Sequence, residues 1–195
     1  NGQTPHKKLY VGTFTSGEAE GIYLCNFNSN TGDLSLEATF KGIDNPNFLK
    51  ISPDKNYLYS ATRPPVEIEK SGGYINAYKI GLKGRLHFLN KQFSHGNDPC
   101  YVDVSKDGKF VATATYGGGS VSLYPVNKNG GIYPAISTVF LEGSGPNKNR
   151  QSEPHAHSIM FSLFSDEVFS ADLGTDQLNI FQLKNNELIP GAPEF

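Results

Sequence analysis

The stretch Asn149–Ser158 brings together a guanidinium, Arg150, a carboxylate, Glu153, and two imidazoles, His155 and His157. Imidazole titrates near neutral pH, so it can take a proton from water and give it back. Guanidinium presents a planar fork of donors that fits a phosphate or a carboxylate. On an extended segment His155 and His157 point to one side, and Ala156 and Ser158 to the other. Together these groups suit attack by water on an electrophile that carries negative charge. Each also has an ordinary reading: a hydrogen-bonded structural histidine, or an arginine paired with Glu153 at the surface. Glycine-rich Gly143-Ser144-Gly145-Pro146 precedes the stretch and apolar Ile159-Met160-Phe161 follows it. The pattern predicts a loop that delivers polar groups to the mouth of a strand.

Composition narrows what scaffold holds that loop. The chain has 195 residues, enough for one domain with a substantial core. Seventeen Lys and Arg against 19 Asp and Glu leave no basic footprint for nucleic acid. No run of about 18 apolar residues marks a membrane span. Many glycines and aromatic residues, with one Met and no Trp, favour strands and turns. Cys25 and Cys100 lack metal-ligand spacing and read as small buried hydrophobes. The first residues, Asn1–His6, carry no apolar signal segment, and the absent initiator Met fits a trimmed or processed chain. No G-x-S-x-G elbow occurs, and Gly117-Gly118-Gly119 does not match a nucleotide phosphate loop.

The organising feature is a repeat. Tyr57–Thr62, Phe110–Thr115 and Glu167–Asp172 align without gaps, and Leu9–Thr13 joins them. A small residue recurs at one place: Gly12, Ala61, Ala114 and Ala171. Such a residue lets a neighbouring sheet come close. Ahead of these strands, Leu49–Asn56 aligns with Val102–Lys109, each a short strand and then a turn with Asp. Before Glu167, Phe164 stands where Asp54 and Asp107 sit in the other copies. Third strands are expected at Gly21–Phe27, Tyr74–Tyr78, Val121–Tyr124 and Leu178–Phe181. Fourth strands are expected at Gly32–Leu36, Gly84–Phe88, Gly131–Tyr133 and Asn186–Ile189. Four antiparallel strands in roughly 50 residues is the signature of a propeller blade. The expected fold is therefore all-β, with a tail at 1–7 and a partial propeller over 8–195. Its approximate blades are 8–44, 45–97, 98–153 and 154–195. The opening blade starts with what is elsewhere the second strand, at Lys8. Such an opening fits one part of a longer propeller, completed by the same chain or by a second copy.

Several motifs together resemble the seven-bladed propeller lactonases, a family that includes the propeller type of 6-phosphogluconolactonase. They are Gly143-Ser144-Gly145-Pro146, Arg150-Gln151, Pro154-His155-Ala156-His157-Ser158 and Asp172-Leu173-Gly174-Thr175-Asp176. Leu9–Phe14, Thr62-Arg63-Pro64 and Tyr116–Val121 add to the likeness, which runs over essentially the whole chain. The resemblance implies seven blades, of which about four are here, and hydrolysis of a phosphorylated sugar lactone, 6-phosphogluconolactone foremost, in the pentose phosphate pathway. No cofactor and no metal are expected: His155 and His157 could join Asp172 in a metal site, but an i, i+2 pair on a strand is a weak signal without a mapped third ligand. Charge and hydropathy point to neither nucleic acid nor a membrane, and the expected setting is cytoplasmic or, after signal removal, periplasmic. The residues expected at the catalytic centre are His157, Arg150 and His155, with Arg63, Tyr116 and Asp172 binding substrate. His157 takes the place of Asn47 and Cys100 in the repeat, where the innermost strand begins beside the central channel. The family's acidic residue and further arginines are expected in later blades. Plainer readings stay open: Asp172 and Asp176 as turn formers, Arg63 as a loop charge, Tyr116 as the end of a strand, and His6, His87 and His95 as solvated. A non-catalytic binding propeller and a muconate-type cycloisomerase are the alternatives of function.

Overall fold

The structure, a computed structural model, describes residues 5–65, 69–70 and 72–191. It contains four antiparallel sheets, and no α-helix occurs among the described residues. The first sheet holds β1 (His6–Val11), β2 (Gly21–Asn28) and β3 (Leu34–Lys41). The second holds β4 (Pro46–Ile51), β5 (Tyr57–Thr62), β6 (Tyr74–Ile80) and β7 (Leu86–Phe93). The third holds β8 (Pro99–Val104), β9 (Phe110–Thr115), β10 (Ser120–Pro125) and β11 (Ser137–Phe140). The fourth holds β12 (Met160–Phe161), β13 (Glu167–Asp172), β14 (Gln177–Lys184) and β15 (Glu187–Pro190). Within each sheet the strands pair in chain order, as the meander of a propeller blade does. β1 pairs with β2 from His6 onward, two residues ahead of the expected start. In the first sheet no described strand corresponds to β4, β8 and β12. Residues 1–4 of the expected tail, and the end of the chain at Phe195, lie outside the described residues. Among the described residues no helix is long and apolar enough to cross a membrane.

The repeat sets the turns between first and second strands. Asp54 accepts from the Ser52 hydroxyl and from the Asn56 N–H, and Asp107 accepts likewise from Ser105 and Lys109. At the third copy Phe164 replaces the aspartate, and the Ser162 hydroxyl accepts the Phe164 and Ser165 N–H groups in its stead. A side chain released from the turn points outward, and Phe164 is 97% exposed.

One expected strand is corrected. The fourth strand of the third sheet is β11, not Gly131–Tyr133. Gly131 and Ile132 instead close a small turn in which Val126 bridges Ile132. Asn127 Oδ1 accepts the Asn129 and Gly131 N–H groups. Asn90 of the second sheet then binds Ile132 on both sides, accepting from its N–H at 3.0 Å and donating to its carbonyl at 2.7 Å. The pull of Asn90 across the interface, invisible to local periodicity, removes these residues from the sheet.

The core lies between sheets rather than within them. Ile22, Leu58 and Tyr78 fill the first interface. Tyr59, Ile75, Val102, Val104, Val111 and Tyr124 fill the second. Leu123, Ala156, Ile159, Val168 and Phe181 fill the third. The recurring small residue explains the close approach: a Cβ on Gly12 would sit 2.1 Å from the Pro46 carbonyl oxygen, and Ala61 and Ala114 are fully buried. Ala171, the fourth copy, is exposed on the outer face of the last sheet.

Polar ties cross the same interfaces. The repeat-equivalent Tyr10 and Tyr59 each donate from the hydroxyl to a glycine carbonyl of the next sheet, Gly84 at 2.6 Å and Gly130 at 3.0 Å. Burial pushes the Tyr59 phenol above its ordinary pKa. Asp103 on β8 joins three sheets: its Oδ1 lies 2.7 Å from Lys50 Nζ on β4, and its Oδ2 accepts the Phe161 N–H of β12 at 2.9 Å. Replacing Asp103 by Ala takes the side-chain acceptor from that part-buried N–H. The expected loss is about 1–3 kcal/mol in urea unfolding, and Asp103→Asn, which keeps an acceptor, recovers part of it. Equal stability of Asp103→Ala and the parent would refute this role.

Candidate active site

Glycines build the site before any catalytic group enters it. Tyr116 directly follows β9 and is itself followed by Gly117, Gly118 and Gly119. A Cβ on Gly117 would lie 2.7 Å from Asp98 Oδ2, and one on Gly118 would lie 2.5 Å from Gly96 Cα. The triple glycine is a slot that receives the turn Gly96-Asn97-Asp98. Gly119, at φ +55°, faces the Pro154 carbonyl, where a Cβ would come within 2.8 Å. From the other side, a Cβ on Gly174 would sit 2.0 Å from the Glu153 oxygen and 2.7 Å from the His155 nitrogen. The backbone of 153–155 therefore runs between two glycines that only hydrogen side chains allow.

Asp172 locks this run. It is buried, and its Oδ1 accepts the N–H groups of His155 at 2.6 Å and Gly174 at 2.8 Å. Its Oδ2 accepts the Thr175 hydroxyl at 2.9 Å. Gln151 bolts the preceding loop to the same turn: Nε2 donates to the Leu173 carbonyl and to Asp176, and Oε1 accepts the Asn147 N–H. Ala156 then bridges Asp172, and the His157 N–H donates to the Ala171 carbonyl at 2.8 Å.

Tyr116 is the hub of the side chains. The His155 ring stacks on it at 4.4 Å between centroids and 9° between planes, and His155 Nδ1 lies 2.9 Å from the Tyr116 carbonyl. The His157 ring meets Tyr116 edge-on at 5.5 Å. Arg150 Nη2 donates to the Tyr116 hydroxyl at 3.4 Å. Both histidines thus reach one tyrosine, as the alternation of an extended segment predicts.

A cavity of about 470 Å³ opens here, lined by Phe14, Asn47, Arg63, Cys100, Tyr116, Arg150 and His157, with Phe48 and Asp98. Of the expected site residues, His157, Arg150, Arg63 and Tyr116 line it. His155 lies behind Tyr116 and Asp172 lies deeper still, so neither is part of the wall. Arg150 forms no ion pair with Glu153, and Arg63 pairs with Asp98, Nε to Oδ1, at 2.6 Å.

Sequence reasoning missed Asp98, Phe14 and Phe48 as wall residues. It set Asn47 and Cys100 beside His157 in the repeat without drawing the consequence. Asn47 Nδ2 donates to the Pro99 carbonyl, and Cys100 Sγ lies 3.4 Å from the Ala156 carbonyl. Pro99 and Ala156 each open the run into the next innermost strand, so the two contacts are copies of each other. Burial pushes the Cys100 thiol up to about 11. Among the described residues no group of three or more His, Cys, Asp or Glu gathers to hold a metal ion.

Comparison with known proteins agrees with the fold. The family model "Lactonase, 7-bladed beta-propeller" matches residues 8–194. A Bacillus subtilis protein named 6-phosphogluconolactonase is 35% identical over 92% of this chain and 50% of its own length. A Bacteroides fragilis crystal structure superposes with a TM-score of 0.86 at 32% identity, over 98% of this chain and 54% of that one. The periplasmic gluconolactonase of Pseudomonas aeruginosa superposes with a TM-score of 0.82 at 25% identity, over 95% of this chain and 55% of that one. The chain spans about half the length of these relatives. Four successive sheets, a glycine-cradled Pro-His-Ala-His run and a family match over nearly every residue place the chain in the seven-bladed β-propeller lactonase family.

Proposed function

We propose that this chain carries part of the active site of an enzyme that hydrolyses a sugar lactone, 6-phosphogluconolactone foremost. The observation that carries this reading is the convergence of His157, Arg150 and Arg63 on one cavity around Tyr116. The names of the Bacillus and Pseudomonas relatives support a lactone of the gluconate type. The 6-phospho form follows the name of the first, while the second is named a periplasmic gluconolactonase; a place in the pentose phosphate pathway and a cytoplasmic setting belong to the proposal.

In this reading the exposed His157 imidazole takes a proton from water as the water oxygen adds to the lactone carbonyl. The carbonyl oxygen becomes an alkoxide, and the Arg150 guanidinium stabilises it or the substrate's own anionic group. Collapse of the tetrahedral centre breaks the bond to the ring oxygen, which takes the proton back from His157. One lactone and one water become one hydroxy acid. Asp172 and His155 act from behind: the first fixes the backbone of the second, and His155 supports the Tyr116 ring.

Three outcomes are expected in the full-length protein. Substituting His157 by Gln lowers kcat/KM by roughly 100-fold or more, the usual yield of a positioned acid-base group. Activity within a few-fold of the parent would rule out this role. Arg150→Ala raises KM for the phosphorylated lactone by about tenfold more than for gluconolactone, the difference expected of a charge-assisted hydrogen bond to phosphate. Equal effects on the two substrates would move Arg150 away from the phosphate. Cys100 is a wall residue and not a nucleophile: with the thiol held near 11, thiolate at pH 7 is about one part in 10⁴, and the thiolate is the reactive form. Iodoacetamide at pH 7 leaves the native enzyme active; rapid inactivation traced to Cys100 would overturn the assignment.

A further inference from the structure

We infer that Asp98 is a positioning residue: it turns the Arg63 guanidinium so that the Nη edge faces the cavity and grips an oxyanion of the substrate. This rests on the lactonase reading above.

Three constraints converge on Asp98. Its backbone has φ +57°, a region that non-glycine residues other than Asn and Asp seldom occupy. Its carbonyl accepts the Tyr116 N–H at 2.9 Å. Its carboxylate fits only because Gly117 lacks a Cβ, which would fall 2.7 Å from Oδ2. What this arrangement holds is the ion pair with Arg63, 2.6 Å from Nε to Oδ1. The two side chains are 46% and 32% exposed, and ion pairs so open to solvent add little to stability. Orientation is what the pair supplies.

Arg63 is fixed from its other end as well. Its N–H donates to the Asp44 carbonyl at 3.1 Å, and its carbonyl accepts from Asn45 Nδ2 at 2.7 Å. With the backbone held on both sides and Nε turned to Asp98, the Nη edge is left for the open space beside Arg63, which lines both this cavity and an adjoining one bounded by Asn45 and Asn97. Among the described residues no second carboxylate pairs with Arg63. Two parallel N–H groups match a planar pair of oxygens, on a phosphate or on the carboxylate that lactone opening creates.

The test is a double-mutant cycle in the full-length protein, read by calorimetric binding of inorganic phosphate and of gluconate, and by lactone turnover. Asn suits φ +57° as well as Asp does, so Asp98→Asn keeps the turn, removes the charge and leaves Arg63 Nε only a neutral amide oxygen, a weaker tether than the carboxylate. It is expected to weaken binding of one anion by about tenfold and to raise KM, with kcat within about threefold and an unchanged melting temperature. In an Arg63→Ala background the same substitution should change binding by less than twofold, because coupled residues are not additive. Weakening confined to phosphate, or to gluconate, says which oxyanion Arg63 holds. Additive effects of the two substitutions, unchanged affinity in Asp98→Asn, or no binding of either anion by the parent would each overturn the inference. Absence of lactone turnover with the coupling intact would instead sink the lactonase reading and leave Asp98 as the orienting group.

Discussion

The passage of the 153–155 backbone between Gly119 and Gly174 is the constraint on which the site depends. A single Cβ on Gly174 would drive into Glu153, Pro154 and His155 at once. The run cannot give way, because Asp172 holds the His155 N–H from within the protein and Gln151 holds the preceding loop. Everything that faces the cavity from the fourth sheet hangs from this passage: the stack of His155 on Tyr116, the edge of His157, and the reach of Arg150 to the tyrosine hydroxyl. The groups proposed for catalysis are thus placed by residues that have no chemistry of their own. Unreactive glycines and a buried carboxylate set the geometry, and the exposed side chains inherit it.

Much of this was legible in the sequence because the repeat reports on interfaces as well as on strands. The small residue at Gly12, Ala61 and Ala114 marked close packing, and the alignment of Asn47, Cys100 and His157 marked the start of each innermost strand. What escaped was set by contacts between distant segments. Asn90 draws Ile132 out of the strand that local alternation assigns to it. Asp172 has the residue type of a substrate ligand, but Thr175 and two backbone N–H groups occupy its oxygens. Asp98 sits before a proline in a turn, where its type suggests only turn formation, and its partner Arg63 lies in the neighbouring sheet. The run of three glycines carried no phosphate-loop pattern, and its use became clear only with the turn that lies against it.

The charges at the cavity are arranged by depth. Asp172 is buried and spends its oxygens on backbone and hydroxyl donors. Arg150 lies in the open, on the cavity wall. Asp103 keeps a carboxylate in the interior, away from the cavity, and answers it with the Lys50 ammonium and a backbone N–H from each side. A charge that serves the fold is enclosed by donors, and a charge that serves the ligand is left partly unanswered, which is what an incoming anion needs.

The forward-reaching tyrosines bear on the order in which the chain assembles. Tyr10 waits 74 residues for its carbonyl acceptor and Tyr59 waits 71. As the polypeptide emerges from synthesis, each sheet can complete its backbone ladder from local sequence alone. In the first and second sheets the tyrosine hydroxyl, though, meets its carbonyl only when the following sheet docks. These two bonds tie the first sheet to the second and the second to the third, so part of the polar pairing of each waits on a segment made later.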